Sequence, residues 1–431
     1  MIKTFRVGFA FFLALVSVGS FVSVSTVSPA WAVAAGTQVG SDIDGEAADD
    51  YSGNPVSFSS DGSRVAIGSG YNDGVGSESG QVRVYDLTGG AWVQVGGDIN
   101  GEAAGDYSGQ SVSLSSDGSR IAIGARYNND GGAGAGHVRV FNLMSGNWVQ
   151  VGSDIDGAAE GDGFGASVNL SSDGSRVAIS APGNDDGGSS AGQVRVYNLF
   201  SGNWVQVGSN INGAASSDNM GSSVSMSSDG SRVAIGALFA STGGSMFNGY
   251  TRVFNLTGGN WVQVGSDIVG EAIFDFSGSS VSLSPDGSRV AIGAPGNDGA
   301  GSGAGHVRVY DLTSGAWVQA GSDIDGEAAT DSSGASVSLS SDGSRVAIGA
   351  PGNDGTANNA GHVRVYELPG GGGGGGGGGG ITSEPRNLSV SKKLASERKL
   401  TWKAPKSLNG GTITDYVIQY RVNRTTLWST F

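Results

Sequence analysis

The stretch SVSLSSDGSRIAIGARYNNDGGAGAGHVRVFNLMSGNWVQVG (Ser111–Gly152) holds four short runs in which apolar residues alternate with polar or small ones. They are SVSLS (Ser111–Ser115), RIAIGA (Arg120–Ala125), HVRVFNL (His137–Leu143) and NWVQVG (Asn147–Gly152). Period-two spacing predicts strands, because successive side chains of an extended chain point to opposite faces. SSDGS and LMSGN between the runs are tight-turn sequences, in which Asp-Gly and Ser-Gly supply the required dihedrals. The four strands are denoted A, B, C and D.

The unit recurs. DGSRVAIG or a near relative starts at Asp61, Asp117, Asp173, Asp229, Asp286 and Asp342, and WVQVG or a near relative starts at Trp92, Trp148, Trp204, Trp261 and Trp317, at spacings of 56, 56, 57 and 56. Six copies of a four-stranded antiparallel unit predict an all-β, six-bladed propeller over residues 33–369. A solenoid of stacked repeats is the structural alternative. TQVGSDI (Thr37–Ile43) reads as a D strand with no A, B or C before it, and the sixth copy stops at Leu368 without a D strand. The N-terminal strand is therefore expected to complete the last blade and close the ring, which would leave no open sheet edge.

GFGASVNLSSDGSRVAISAPGNDDGGSSAGQVRVY (Gly163–Tyr197) resembles the FG-GAP repeat of integrin alpha-chain propellers and their bacterial relatives. Phe164-Gly165 stands at that family's Phe-Gly, and Ala181-Pro182, Gly293-Ala294-Pro295 and Gly349-Ala350-Pro351 match its Gly-Ala-Pro element. The resemblance implies a propeller used in adhesion. Integrin propellers have seven blades, and their calcium loops are Asp-rich hairpins between A and B. Here that hairpin is only SSDGS, so no residue inherits the family's calcium ligands.

Residues 1–32 read as an export signal. Lys3 and Arg6 precede an apolar run from Val7, and Ala30-Trp31-Ala32 fits a small-x-small cleavage site. No other stretch has the ~20 apolar residues of a membrane span. Residues 370–380 are consecutive glycines, a flexible linker spanning roughly 18 Å. Beyond it, residues 381–431 resemble the opening half of a fibronectin type III domain, through Pro385, Trp402, Pro405, Tyr416 and Tyr420. About seven strands are needed for such a sandwich, so a natural chain continuing past Phe431 is expected.

The chain has no cysteine, which excludes disulfides, thiolate metal sites and cysteine nucleophiles. Charge is uneven: residues 33–369 carry 36 acids against 13 arginines and no lysine. That balance excludes nucleic acid as a partner, since phosphate backbones are bound through Lys and Arg. Propeller connectivity places the D-to-A and B-to-C loops on one face, and 27 of the 36 acids fall in those loops. An acidic ligand face is expected there, with solubility as its plainer explanation.

The D-to-A loops hold SDIDGEAA or looser versions of it. Full alternate triplets occur at Asp42, Asp44, Glu46; Asp98, Asn100, Glu102; and Asp323, Asp325, Glu327. Oxygen ligands at alternate positions suit calcium, a hard ion wanting six to eight oxygens, so these nine residues are the candidate metal ligands and Ca2+ the candidate ion. The competing explanation is a strand connector using Asp and Gly as turn formers. In the B-to-C loops Asn72-Asp73, Asn129-Asp130, Asn184-Asp185, Asn297-Asp298 and Asn353-Asp354 could add oxygens to the same face. The fourth copy diverges, and its Phe239, Met246, Phe247 and Tyr250 suggest exposed apolar groups. His137, His306 and His362 share one repeat position with Gln81, Gln193 and Tyr250, which argues for a hydrogen-bonding structural role. No catalytic set stands out.

These features lead to the expectation of an exported, extracellular or cell-surface propeller. It would be non-enzymatic and monomeric, binding a protein or glycan ligand on its acidic face for adhesion. The alternatives are a carbohydrate-active propeller, either lectin or glycosidase, and a purely structural surface protein.

Overall fold

The computed structural model describes residues 2–8, 38–355, 357–369, 386–394, 397–403, 419–420 and 429–430. All described secondary structure is β, and among the described residues no helix is long and apolar enough to cross a membrane. The chain divides into two units, Gln38–Gly374 and a second made of Met1–Thr37 with Gly375–Phe431.

The larger unit is a six-bladed propeller. In the second blade, A (Ser111–Leu114), B (Arg120–Ala125), C (His137–Met144) and D (Asn147–Gln150) pair antiparallel in sequence order. A fifth short strand, Ile155–Asp156, then resumes pairing with C, setting Ile155 opposite Val138 and Asp156 opposite His137. The first five blades share this five-stranded plan. The alternation pattern ends strand D at Gly152 and leaves Ile155 and Asp156 in the D-to-A loop. Gly152-Ser153 interrupts the period-two pattern and bulges the strand, but C still has backbone groups to pair beyond Val140, whose carbonyl accepts from Val151, and Ile155 buries an apolar side chain by returning to it.

Strands B and C form the buried middle of each blade. Ala122, Ile123, Val138 and Val140 are fully enclosed, and at five seams a hydrophobic cluster joins the C strand of one blade to the A and B strands of the next. Three polar contacts repeat at the seams. The strand A serine accepts an N–H from the next A strand (Leu114 N to Ser57 Oγ, 3.0 Å; Leu170 N to Ser113 Oγ, 2.9 Å). The arginine that opens strand B donates to the glycine carbonyl of the next blade's Asp-Gly turn (Arg64 to Gly118 O, 2.8 Å; Arg289 to Gly343 O, 2.7 Å). The strand D tryptophan donates Nε1–H to the D segment of the previous blade (Trp148 to Val95 O, 3.0 Å).

The seam between blades six and one departs from the expected closure. Trp92 does donate to Val39 O at 2.9 Å, and Arg83 to Asp44 O at 2.7 Å, so the N-terminal segment lies against blade one as a D strand would. Among the described residues, however, it forms no ladder with the last C strand, His362–Glu367, which pairs only with Arg345–Ala350. Val363 and Val365 are 69% and 64% exposed, where the matching Val138 and Val140 are buried. The grip of a D segment on the following blade uses side chains, whereas closure needs main-chain pairing with its own blade. The first is satisfied here without the second.

In the second unit, Glu397–Lys403 pairs antiparallel with Arg386–Leu394 and, on its other edge, with Ile2–Gly8, while Gln419–Tyr420 pairs with Ser429–Thr430. A sheet that takes a strand from the opposite end of the chain gives the fibronectin type III resemblance no support. The remainder of that expected domain, the glycine linker and residues 9–32 of the expected signal lie outside the described residues.

Candidate functional site

The face carrying the D-to-A and B-to-C loops is held by six buried aspartates at the repeat spacing: Asp50, Asp106, Asp162, Asp218, Asp275 and Asp331. Asp106 Oδ2 accepts the Ala103 N–H at 2.9 Å and the Asn128 side-chain amide at 3.2 Å, tying one loop to the other. Asn72, Asn184, Asn297 and Asn353 make the same bond to their own aspartates. In blade two the buried residue is Asn128, one position before the expected Asn129, which instead accepts the Gly134 N–H. Much of the acidic inventory on this face is therefore loop architecture.

The alternate triplets are divided between blades. Each first acid accepts from the strand D glutamine four residues earlier: Asp42 from Gln38 (2.8 Å), Asp98 from Gln94 (2.7 Å) and Asp323 from Gln319 (2.6 Å). The middle residue belongs to the resumed D strand, where Asn100 lies opposite Gln81 and accepts its amide at 3.2 Å, and Asp325 lies opposite His306. Asp44, in the N-terminal segment, is exposed. The third acid serves the following blade: Glu46 faces Arg83 at 3.6 Å, Glu102 faces Arg139 at 3.3 Å, and Glu327 pairs with Arg364. The structure thus brings the third acid of one copy towards the first acid of the next.

Two such meetings include a histidine. Glu102, Asp130, His137 and Asp154 place one ligand atom each within 4.8 Å of one another, as do Glu271, His306 and Asp323. His137 is 1% exposed, and its Nδ1 has no hydrogen-bond partner, lying 3.7 Å from Glu102 Oε2. Burial, helped by the neighbouring Arg139 charge, keeps its pKa below the usual histidine value, so the ring is neutral. Asp156, across the ladder, is pushed up, first by burial. The expected hydrogen-bonding role of the histidines does not hold at His137 Nδ1. The sequence carried only a partial signal for the grouping: His137, His306 and His362 each go with a glutamate at the third acid position, and Gln193 and Tyr250 go with Ala158 and Ala214, but Gln81 goes with Glu46.

A second feature was missed in the sequence. Tyr51, Tyr71, Tyr107 and Tyr127 form a row of ring contacts, with successive centroids 5.1, 5.2 and 5.2 Å apart. Tyr51 and Tyr107 come from D-to-A loops, and Tyr71 and Tyr127 follow strand B, so the row crosses the seam of blades one and two. Tyr71, Gly105, Tyr107, Gln110, Tyr127, Asn129 and Gly134 line an open surface cavity of about 430 Å³. Tyr107 donates its hydroxyl hydrogen to Glu78, which pushes its pKa up to about 12. The Arg126 guanidinium lies 4.8 Å over the Tyr127 ring. Two pairs of tyrosines at the 56-residue spacing were the readable signal.

The divergent fourth copy is partly as expected. Phe239 and Met246 are exposed, and Phe239, Phe247, Phe274 and Phe276 share ring contacts. Tyr250 is a correction: it is 2% exposed, because its hydroxyl fills a gap beside Asp218.

Residues 100–141 match the profile of the FG-GAP repeat. No curated protein matches the chain. Among solved structures, similarity extends to a protein described as a 6-phosphogluconolactonase from Bacteroides uniformis, at 14% identity, with a TM-score of 0.50, over 72% of this chain and 80% of that one. A periplasmic gluconolactonase from Pseudomonas aeruginosa matches at 17% identity, with a TM-score of 0.49, over the same shares. At such identity the likeness is one of fold. It overturns the expectation of a non-enzymatic adhesion protein, which rested on passing from propeller architecture to adhesion: in the first neighbour a propeller of this kind is described as an enzyme of sugar chemistry.

Proposed function

We propose that this protein is a carbohydrate-active propeller that takes a sugar ring in the tyrosine-lined cavity between blades one and two. The observation that carries the reading is the cavity's lining. Aromatic faces from Tyr71, Tyr107 and Tyr127 stand beside the side-chain amides of Gln110 and Asn129, with Gly105 and Gly134 leaving backbone within reach. Aromatic rings pack against the C–H face of a sugar, and a few convergent amides and hydroxyls bond its hydroxyl groups. The volume of about 430 Å³ suits one or two sugar rings. Glu78 holds the Tyr107 hydroxyl in place, leaving its oxygen free to accept. Sugar-lactone hydrolysis is the reaction to assay first, being the chemistry in which the first structural neighbour is described.

Calorimetric titration with monosaccharides, aldonic acids and aldonolactones, with proton release followed for the lactones, tests the proposal. Expected is binding to at least one sugar class that Tyr127→Ala abolishes and Tyr127→Phe retains. Absence of binding across the panel, or binding indifferent to Tyr127→Ala, contradicts it.

A further inference from the structure

We propose that Glu102, Asp130, His137 and Asp154 form a binding site for a divalent transition-metal ion at the blade two edge, with Glu271, His306 and Asp323 a weaker three-ligand version in blade five. The donors come from four segments: Glu102 from the loop entering the blade, Asp130 from its B-to-C loop, His137 from the start of strand C and Asp154 from the bulge in strand D. Their ligand atoms lie within 4.8 Å of one another. Donors around a tetrahedral ion are roughly 3.4 Å apart, given bonds of about 2.0–2.2 Å, so closure needs only side-chain adjustment.

Three considerations favour a metal over an empty acidic cluster. First, the imidazole is buried with Nδ1 unpartnered beside the carboxylates, and an unsatisfied buried nitrogen is costly unless something binds it. Second, three carboxylates crowded together repel, and one guanidinium, Arg139, faces Glu102. Third, the ligands are already oriented from behind, as ligands of a metal site are. Arg139 faces Glu102 Oε1 while Oε2 is the oxygen turned to His137. Gln150 donates to Asp154 Oδ1 at 2.6 Å, and the Asp130 N–H is fixed by Asn128 Oδ1 at 2.9 Å. A nitrogen donor among carboxylates selects zinc or manganese over calcium, which takes oxygen ligands.

The test uses untagged full-length protein stripped with chelator, then titrated with Zn2+, Mn2+ and Ca2+ in competition with a chromophoric chelator. His137→Gln is the informative variant, because Gln81 and Gln193 occupy this position in blades one and three, so the fold tolerates it. Circular dichroism confirms that the variant is folded. The expected result is one tight zinc or manganese equivalent, weakened in His137→Gln by at least about tenfold, since losing even a partner behind a ligand costs about 10–100-fold. His306→Gln should remove only a weaker second equivalent, and His362→Gln should change neither. No tight equivalent, equal affinity in His137→Gln, or equally tight calcium binding would each overturn the proposal.

Discussion

Tyr250 donates its hydroxyl hydrogen to the buried Asp218 Oδ2 at 2.9 Å, in the one blade where Ala240 stands at the position other blades give to an asparagine. Two departures from the repeat thus compensate each other, and the buried carboxylate keeps its side-chain partner. Tyr250→Phe should destabilise the propeller by about 1–3 kcal/mol, the cost of leaving a buried polar group unsatisfied. Changing the pair to the blade three combination, with Ala240→Asn and Tyr250→Gln, should recover most of that loss. Urea unfolding of the three proteins decides it, and an unchanged midpoint for Tyr250→Phe would show that the bond contributes nothing.

Acid should unlock the turns on the opposite face. Asp61 is lowered from 3.8 to about 2 by the Ser63 backbone N–H and the Ser59 and Ser63 hydroxyls, and Asp342 is lowered to about 2 by Ser340 and Ser344. A folded-state pKa below the unfolded value means that the folded state binds fewer protons in that window. The stabilisation is therefore complete above about pH 4 and lost as the pH falls towards about 2. Asp342→Asn should lower the melting temperature at neutral pH, by an amount that shrinks towards nothing near pH 2. Melting curves across that range test this, and a pH-independent difference would contradict it.

The seam contacts predict unequal effects for two equivalent glycines. A Cβ at Gly236 would lie 1.9 Å from the Gly278 carbonyl of the next blade, whereas at Gly349 the nearest atom is the Ser336 hydroxyl oxygen at 2.3 Å, which can rotate away. Gly236→Ala should cost on the order of 1–3 kcal/mol, as overpacking does, and Gly349→Ala clearly less. Equal costs in chemical unfolding would place a neighbouring backbone against blade six.

Cysteine pairing tests the open seam directly, because these 431 residues include no cysteine. Phe58 and Val365 are 54% and 64% exposed on the facing sides of blades one and six. Phe58→Cys with Val365→Cys should retain two free thiols per chain under mild oxidation at low protein concentration. Quantitative intrachain disulfide would show that the two faces meet.

The architecture was legible because each copy repeats the same alternation and turns: strand B of blade two spans Arg120–Ala125, as its pattern predicts. The resumed D strand at Ile155–Asp156 was not, because two residues are too few to show a period. The candidate sites were less legible still. Asp98, Asn100 and Glu102 read as one triplet along the chain, yet Asn100 bonds Gln81 in its own blade while Glu102 turns to His137 in the next. Spacing along one copy could not show a site assembled from two. The tyrosine row was hidden for a related reason. Tyr51 and Tyr107, like Tyr71 and Tyr127, recur in only two of six copies, among loops dominated by Asp and Gly.

The crystal structure of the protein with the tightest-binding sugar from the titration panel tests the proposed function most directly. The sugar ring should lie against Tyr71, Tyr107 and Tyr127, with its hydroxyl groups on Gln110 and Asn129. A sugar seated elsewhere, with that cavity empty, would contradict the assignment of the carbohydrate site to the seam of blades one and two.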